Sequence, residues 1–153
     1  MRRLLVLPLL FALTACSDLI GAGQQCTLIG TRVGIRLDID PAYASRVDSG
    51  SLTACWADVC RTRELTFMPS ATTVDQGCTG DTCSARSVPT GGKNAFADLP
   101  DLPVGPVSVT VKLGAVEQKL ATATEQTYPN GPECGEGGPA LRLKVDAGGR
   151  LTA

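Results

Sequence analysis

The stretch Thr31 to Asp40 reads TRVGIRLDID. Val33, Ile35, Leu37 and Ile39 share one parity, and Arg32, Arg36, Asp38 and Asp40 share the other. Successive side chains of a strand point to opposite faces, so strict period two predicts a half-buried strand with its apolar face on a core. A helix would repeat its apolar residues every three or four positions instead. Pro41 follows and ends the strand, since it has no N–H to donate.

The same alternation recurs along the chain. In PVSVTVKL, Pro106 to Leu113, residues Val107, Val109, Val111 and Leu113 point inward. In ALRLKVDAGGRL, Leu141, Leu143 and Val145 align. In SLTACW, Leu52, Ala54 and Trp56 share a face, and only Ala57-Asp58 separates Trp56 from Val59. That spacing predicts a two-residue hairpin with Trp56 opposite Val59 and Cys55 opposite Cys60. The next strand, VCRTRELTF, is expected to continue to Phe67 with Val59, Leu65 and Phe67 inward. AFADL (Ala95 to Leu99) and KLATATEQTY (Lys119 to Tyr128) complete the set. Met68 to Gly92 is dense in Gly, Pro, Ser and Thr and predicts the least regular region, with a short edge strand around Cys83 to Val88 at most. About seven short strands spaced by turn residues, without a helix, predict an all-β domain of sandwich type. Within it, FADLPDLPVGPVSVTVKL resembles the Leu-Pro-x-Gly-Pro-Val-x-Val stretch of bacterial immunoglobulin-like and transthyretin-like sandwich modules. The resemblance implies that fold and carries over no functional residue.

The N-terminus has a different logic. Met1-Arg2-Arg3 precedes the apolar segment Leu4 to Ala15, a basic start and short apolar core of the secretory type. It is short of the roughly 20 apolar residues that a spanning helix needs. Leu13-Thr14-Ala15-Cys16 resembles the lipobox of bacterial lipoproteins: an aliphatic residue, two small residues, then cysteine. The resemblance implies cleavage before Cys16 and a diacylglyceryl group on its thiol. The expected organisation is therefore a signal peptide over 1–15, a lipidated tether over 16–25 and one sandwich domain over 26–153.

Cysteine arithmetic agrees with that division. The chain has 7 Cys, an odd number for an exported protein. With Cys16 acylated, the others can pair in an oxidising compartment. Cys55 and Cys60 face each other across the hairpin. Cys78 and Cys83 enclose only Thr-Gly-Asp-Thr, where Gly80 lets a local loop close. That leaves Cys26, before the first strand, for Cys134, before the last, and the terminal strands of a sandwich can lie side by side.

Composition excludes several chemistries. The formal net charge is −1 and no basic run exists, so a nucleic-acid partner is not expected, and aromatics at 4% of the chain argue against stacking platforms for sugars or single strands. With His 0, no Ser-His, Cys-His or histidine-zinc site can be assembled from this chain. CWADVC and CTGDTC have the thiols for a zinc site, yet outside the cytoplasm they read as disulfides. Asp38 and Asp40 stand about 7 Å apart on one outward face. Asp98 and Asp101 flank Leu99-Pro100, and Asp75 and Asp81 fall in the cysteine-rich loop. Such carboxylates suit calcium or a glycosidase pair if they converge, and are otherwise solvated positions.

Trp56 has core parity, and Tyr43 and Tyr128 stand at strand ends where a buried ring with a wet hydroxyl is usual. The best contact surface is the loop carrying Pro129, Asn130, Gly131, Pro132 and Glu133, pinned by Cys134. The sequence thus predicts a lipid-anchored, extracytoplasmic binding or structural module of the bacterial envelope. It is expected to lack enzymatic activity, cofactor and metal, to meet the membrane through Cys16, and to have an envelope protein as partner. A calcium-dependent adhesion module and a carboxylate hydrolase are the alternatives.

Overall fold

The computed structural model describes residues 26, 27 and 29–153; the signal segment, the Leu13-Thr14-Ala15-Cys16 motif and the tether lie outside the described residues. The described chain is all-β. Its strands are β1 (Gly34–Ile39), β2 (Gly50–Trp56), β3 (Val59–Glu64), β4 (Met68–Thr79), β5 (Thr82–Asp98), β6 (Gly105–Leu113), β7 (Val116–Gln126), β8 (Pro139–Val145) and β9 (Leu151–Thr152). A four-residue helix, α1 (Pro41–Ala44), was not expected. It forms because Asp40 accepts a hydrogen bond from the Ala42 N–H and Pro41 occupies a first-turn position, where a missing N–H costs nothing.

The hydrogen-bonded strand order is β3-β2-β6-β7-β8-β1-β5-β4, with β9 on β8, and the sheet does not close. Only Glu125 and Gln126 at the end of β7 pair with β8, so the path folds there into two layers. One layer carries Ile35, Leu37 and Ile39 of β1, Leu143 and Val145 of β8, and Ala95 and Ala97 of β5. The other carries Leu52 and Ala54 of β2 and Val107, Val109, Val111 and Leu113 of β6, and all are buried in one shared core. Burying an aliphatic side chain of this size contributes roughly 1.5–3 kcal/mol before entropy is counted. Trp56 packs against the core from its margin. The first and last long strands lie side by side, β1 pairing β8 in parallel register.

The hairpin after β2 has the expected register, Trp56 opposite Val59 and Cys55 opposite Cys60. Beyond it β3 stops at Glu64 instead of continuing to Phe67 and is exposed beyond Val59, although Leu65 is buried and Phe67 packs against the core as expected. The positions of inward parity on this edge strand are Arg61 and Arg63. Arg63 Nε donates to the Asp98 carbonyl at 2.9 Å, bridging the layers, and Arg61 pairs with Asp101 at 3.6 Å. Inward-pointing charges of this kind protect an open edge from further pairing. Tyr43 is buried as expected, whereas Tyr128 is 45% exposed because the chain has already left β7 when it reaches that ring.

The largest departure lies between Met68 and Gly92. The expected irregular loop is a β4–β5 hairpin, and Ala95 to Leu99 is no separate strand but largely the end of β5. Thr, Ser and Val favour extended backbone, and the residues that read as breakers are absorbed. The register shifts between Pro69 and Ala71 and again between Asp75 and Gly77, and Gly80 takes a φ of 60° in the turn. β5 leaves β1 at the Ile39–Lys93 pair, so Ser70 to Thr79 and Thr82 to Gly92 run on as a two-stranded arm. At strand rise this arm is about 35 Å long. Every residue from Ala71 to Ser87 is exposed. Because β5 runs against β1, the arm points away from the end where β1 begins.

Candidate functional site

The structure bonds Cys26 to Cys134, Cys55 to Cys60 and Cys78 to Cys83. The first bond fixes the surroundings of the expected contact loop. Pro132–Cys134 forms a short 3-10 turn, the Asn130 side-chain nitrogen donates to the Ile29 carbonyl at 3.0 Å, and Thr27 donates to the Asn130 side-chain oxygen. Pro129, Pro132 and Glu133 are exposed, and Asn130 and Gly131 half-buried. The loop is thus fastened to the entering N-terminal segment at the end opposite the arm.

The singled-out carboxylates do not converge. Asp40 caps α1, Asp101 faces Arg61, and the Asp75 side chain accepts from the Gly77 N–H at 2.7 Å within a β4 bulge. Asp98 is opposite Gly34, four positions and about 13 Å along the strand from Asp38. Asp81 lies in the turn at the arm's tip. Among the described residues no group of three or more His, Cys, Asp or Glu could hold a metal ion.

What the fold does bring together is basic. Parallel pairing places Arg36 beside Arg142 and Asp38 beside Lys144 on the outward face of β1 and β8. The antiparallel partner β5 adds Phe96 in the first row and Asn94 in the second. Asp38 is the hub: its two carboxylate oxygens accept from Arg36 Nε at 2.8 Å and Arg142 Nε at 2.6 Å. The Asp38 side chain is 23% exposed, against 47% for Arg36 and 72% for Arg142. One half-covered carboxylate therefore orients two outward guanidiniums.

Arg32, one row beyond Gly34, rests on the Phe96 ring at 4.2 Å from its centre. A Cβ on Gly34, whose φ is +152°, would come within 3.0 Å of that ring and 2.1 Å of the Ala97 carbonyl. The absence of a side chain at Gly34 is what lets Phe96 lie down and carry Arg32.

Two open clefts flank the arginine pair. One, about 630 Å³, lies between β1, β8 and the root of the arm, with Lys144, Ser70 and Thr90 in its wall. The other, about 560 Å³, runs toward Thr31, Arg32 and Phe96. Arg36 and Arg142 line both. Together they form a trough along the outer face from the tether end to the arm. The signal for it was in the sequence, in the outward parity of Arg32 and Arg36 and of Arg142 and Lys144. It needed only the side-by-side terminal strands that the Cys26–Cys134 pairing already implied.

Comparison of the chain with protein-family models, with curated proteins and with solved structures finds no match in any of the three. Among the described residues no helix is long and apolar enough to cross a membrane.

Proposed function

We propose that this chain is a lipid-anchored, extracytoplasmic binding module of the bacterial cell envelope, built on an immunoglobulin-like or transthyretin-like β-sandwich. The anchor is the acylated Cys16, and the module has no catalytic role. The observation that carries the reading is the polarity of the domain. Cys26, ten residues after Cys16, is bonded to Cys134 at one end of the body, and the arm leaves from the other. Ten residues reach at most about 35 Å, so an anchored chain keeps the Pro129–Glu133 loop near the lipid surface. The arm then projects outward, with the basic trough along the flank between them. Three disulfides in a chain of this size fit an oxidising compartment outside the cytoplasm.

Fractionation and mass spectrometry of the mature N-terminus test the proposal. The wild-type chain should be in the membrane fraction and begin at Cys16 with acyl mass. Cys16→Ser should remain an unprocessed, unacylated precursor. A mature chain that begins elsewhere, without acyl mass, would remove the anchor from this account.

A further inference from the structure

We propose that the trough on the outer face of β8, β1 and β5 binds an extended acidic glycan, whose carboxylate or phosphate groups are held by Arg36, Arg142 and Lys144. The inference names the ligand class for the binding module proposed above. It is measured on the isolated chain, so its failure is separate from failure of the lipid anchor.

The argument starts from what the cations have left to give. Arg36 and Arg142 each use Nε on Asp38, and neither has a further side-chain partner among the described residues. Each guanidinium therefore keeps its two terminal nitrogens, with four N–H donors in fixed planes. Fixing them in advance lowers the entropy lost when an anion is bound. A paired guanidinium fork also matches a carboxylate or phosphate better than mobile surface lysines do. Lys144, in the next row, adds a charge about 7 Å further along β8.

Acids line the trough too, but they are committed or remote. Asp38 is shared by the two arginines, Asp40 caps α1, and Glu125 lies at the far end of the second cleft. Four cations, Arg32, Arg36, Arg142 and Lys144, thus line this face of a chain whose formal charge is −1.

Shape favours a polymer. Arg32, the Arg36–Arg142 pair and Lys144 are spread over about 20 Å of strand, and neither cleft encloses its contents. Small-molecule sites instead bury most of their ligand in a concave pocket. The aromatic content argues against a single-stranded nucleic acid, and it leaves a glycan to be held through its charged groups instead of by stacking. Phe96 is the aromatic residue of the trough, and its ring is already engaged by Arg32 and laid against Gly34. Single-stranded binding relies on free aromatic faces on which bases stack.

The test is calorimetric titration of the purified full chain, acylated or not, in neutral detergent with polygalacturonate, neutral dextran, a thymidine oligonucleotide and phosphatidylglycerol vesicles. Polygalacturonate should bind with an affinity that falls as salt rises, and dextran should not bind. Lys144→Gln and Arg142→Gln should each weaken binding about tenfold. Lys112→Gln, on the other layer, should leave it unchanged. Lys144→Gln leaves the Asp38 pairing intact, so an unchanged melting temperature separates lost contacts from lost fold. Absence of polygalacturonate binding, equal binding of dextran, tighter binding of the oligonucleotide, or binding of vesicles alone would each overturn the proposal. So would Lys144→Gln and Arg142→Gln variants that bind like wild type.

Discussion

In the body, β6 alternates buried Val107, Val109, Val111 and Leu113 with outward residues, and a second layer closes over the buried face. In the arm, from Ala71 to Ser87, β4 and β5 make the same antiparallel ladder with every residue exposed. The ladder hydrogen bonds are alike, and each contributes only modestly once exchange with water is counted. The difference is apolar burial, which is why an isolated two-stranded hairpin is marginal in water. The arm has two substitutes. The Cys78–Cys83 bond closes its tip, and Thr90 to the Ser70 carbonyl and Asn94 to the Ser70 hydroxyl, each at 3.1 Å, bind its root. Stability of the body is therefore a property of packing, and that of the arm a property of staples.

The strongest way to break this comparison is to place the same charge in both regions. Val109 is 0% exposed and Val74 is 40% exposed. Val109→Asp buries an unpaired carboxylate and should cost more than about 5 kcal/mol, comparable to the whole stability of a domain, so the chain should not fold. Val74→Asp should stay within about 0.5 kcal/mol of wild type. Circular dichroism melts of the two variants decide it. Comparable losses would mean that the arm is packed against something in solution.

Removing the staples comes next in size. Cys26–Cys134 closes a loop with a sequence separation of 108, against 5 for Cys78–Cys83. The chain-entropy model assigns about 4–5 kcal/mol to the first and about 2 kcal/mol to the second. Replacing Cys26 and Cys134 with Ser should lower the body's melting temperature by on the order of 15 °C. Replacing Cys78 and Cys83 with Ser should instead speed amide exchange and proteolysis from Ala71 to Ser87 and leave the body's melt almost unchanged. If both pairs lower the melt equally, arm and body unfold as one unit.

These contrasts also mark what the sequence let one read. The body was legible because burial writes itself as parity. TRVGIRLDID and PVSVTVKL place their apolar residues where the core needs them, and a one-residue slip would turn every one outward. The Cys55–Cys60 register followed from a two-residue turn by geometry alone. The arm was illegible for the same reason. With no buried face, Met68 to Gly92 has no alternation to display, and Pro69, Gly77 and Pro89 read as breakers although bulges and turns absorb the first two. The trough fell between these cases. Arg32 and Arg36 were read as outward, and the alignment of Leu141, Leu143 and Val145 leaves Arg142 and Lys144 the opposite parity, but residues as far apart in sequence as Arg36 and Arg142 meet only through the parallel β1–β8 pairing. The carboxylates drew attention as a site because acids are the usual metal and catalytic groups. In the structure Asp38 and Asp40 instead serve as an orienting hub and a helix cap.

The smallest expected effect belongs to β9, which joins both regimes in miniature. Leu151 is buried like the body, and the turn that delivers it is polar like the arm. Asp146 holds that turn: its side chain accepts from the Arg150 N–H at 2.8 Å, and its backbone carbonyl accepts from the Gly149 N–H at 2.9 Å. The bond from the Arg150 N–H, opposed by desolvation and helped by the Arg150 charge and the Gly148 and Gly149 N–H groups, holds the Asp146 carboxyl below its ordinary value of 3.8. A depressed carboxylate stabilises the fold above its unfolded-state pKa, and the contribution disappears as pH falls through the lower, folded-state value. Its window is therefore strongly acidic, and between neutrality and pH 5 the turn should be unaffected. Even after protonation a second clamp remains. The Gln118 side chain of β7 donates to the Gly149 carbonyl and accepts from the Leu151 N–H at 2.9 Å. Asp146→Ala should therefore fray Leu151 and Thr152, seen as faster amide exchange there at neutral pH, with little change in the global melt. Adding Gln118→Ala should release β9 altogether and expose Leu151. If Asp146→Ala alone lowers the global melt as far as loss of the Cys26–Cys134 bond does, polar turns bear weight in the body, and the division between packed body and stapled arm does not hold.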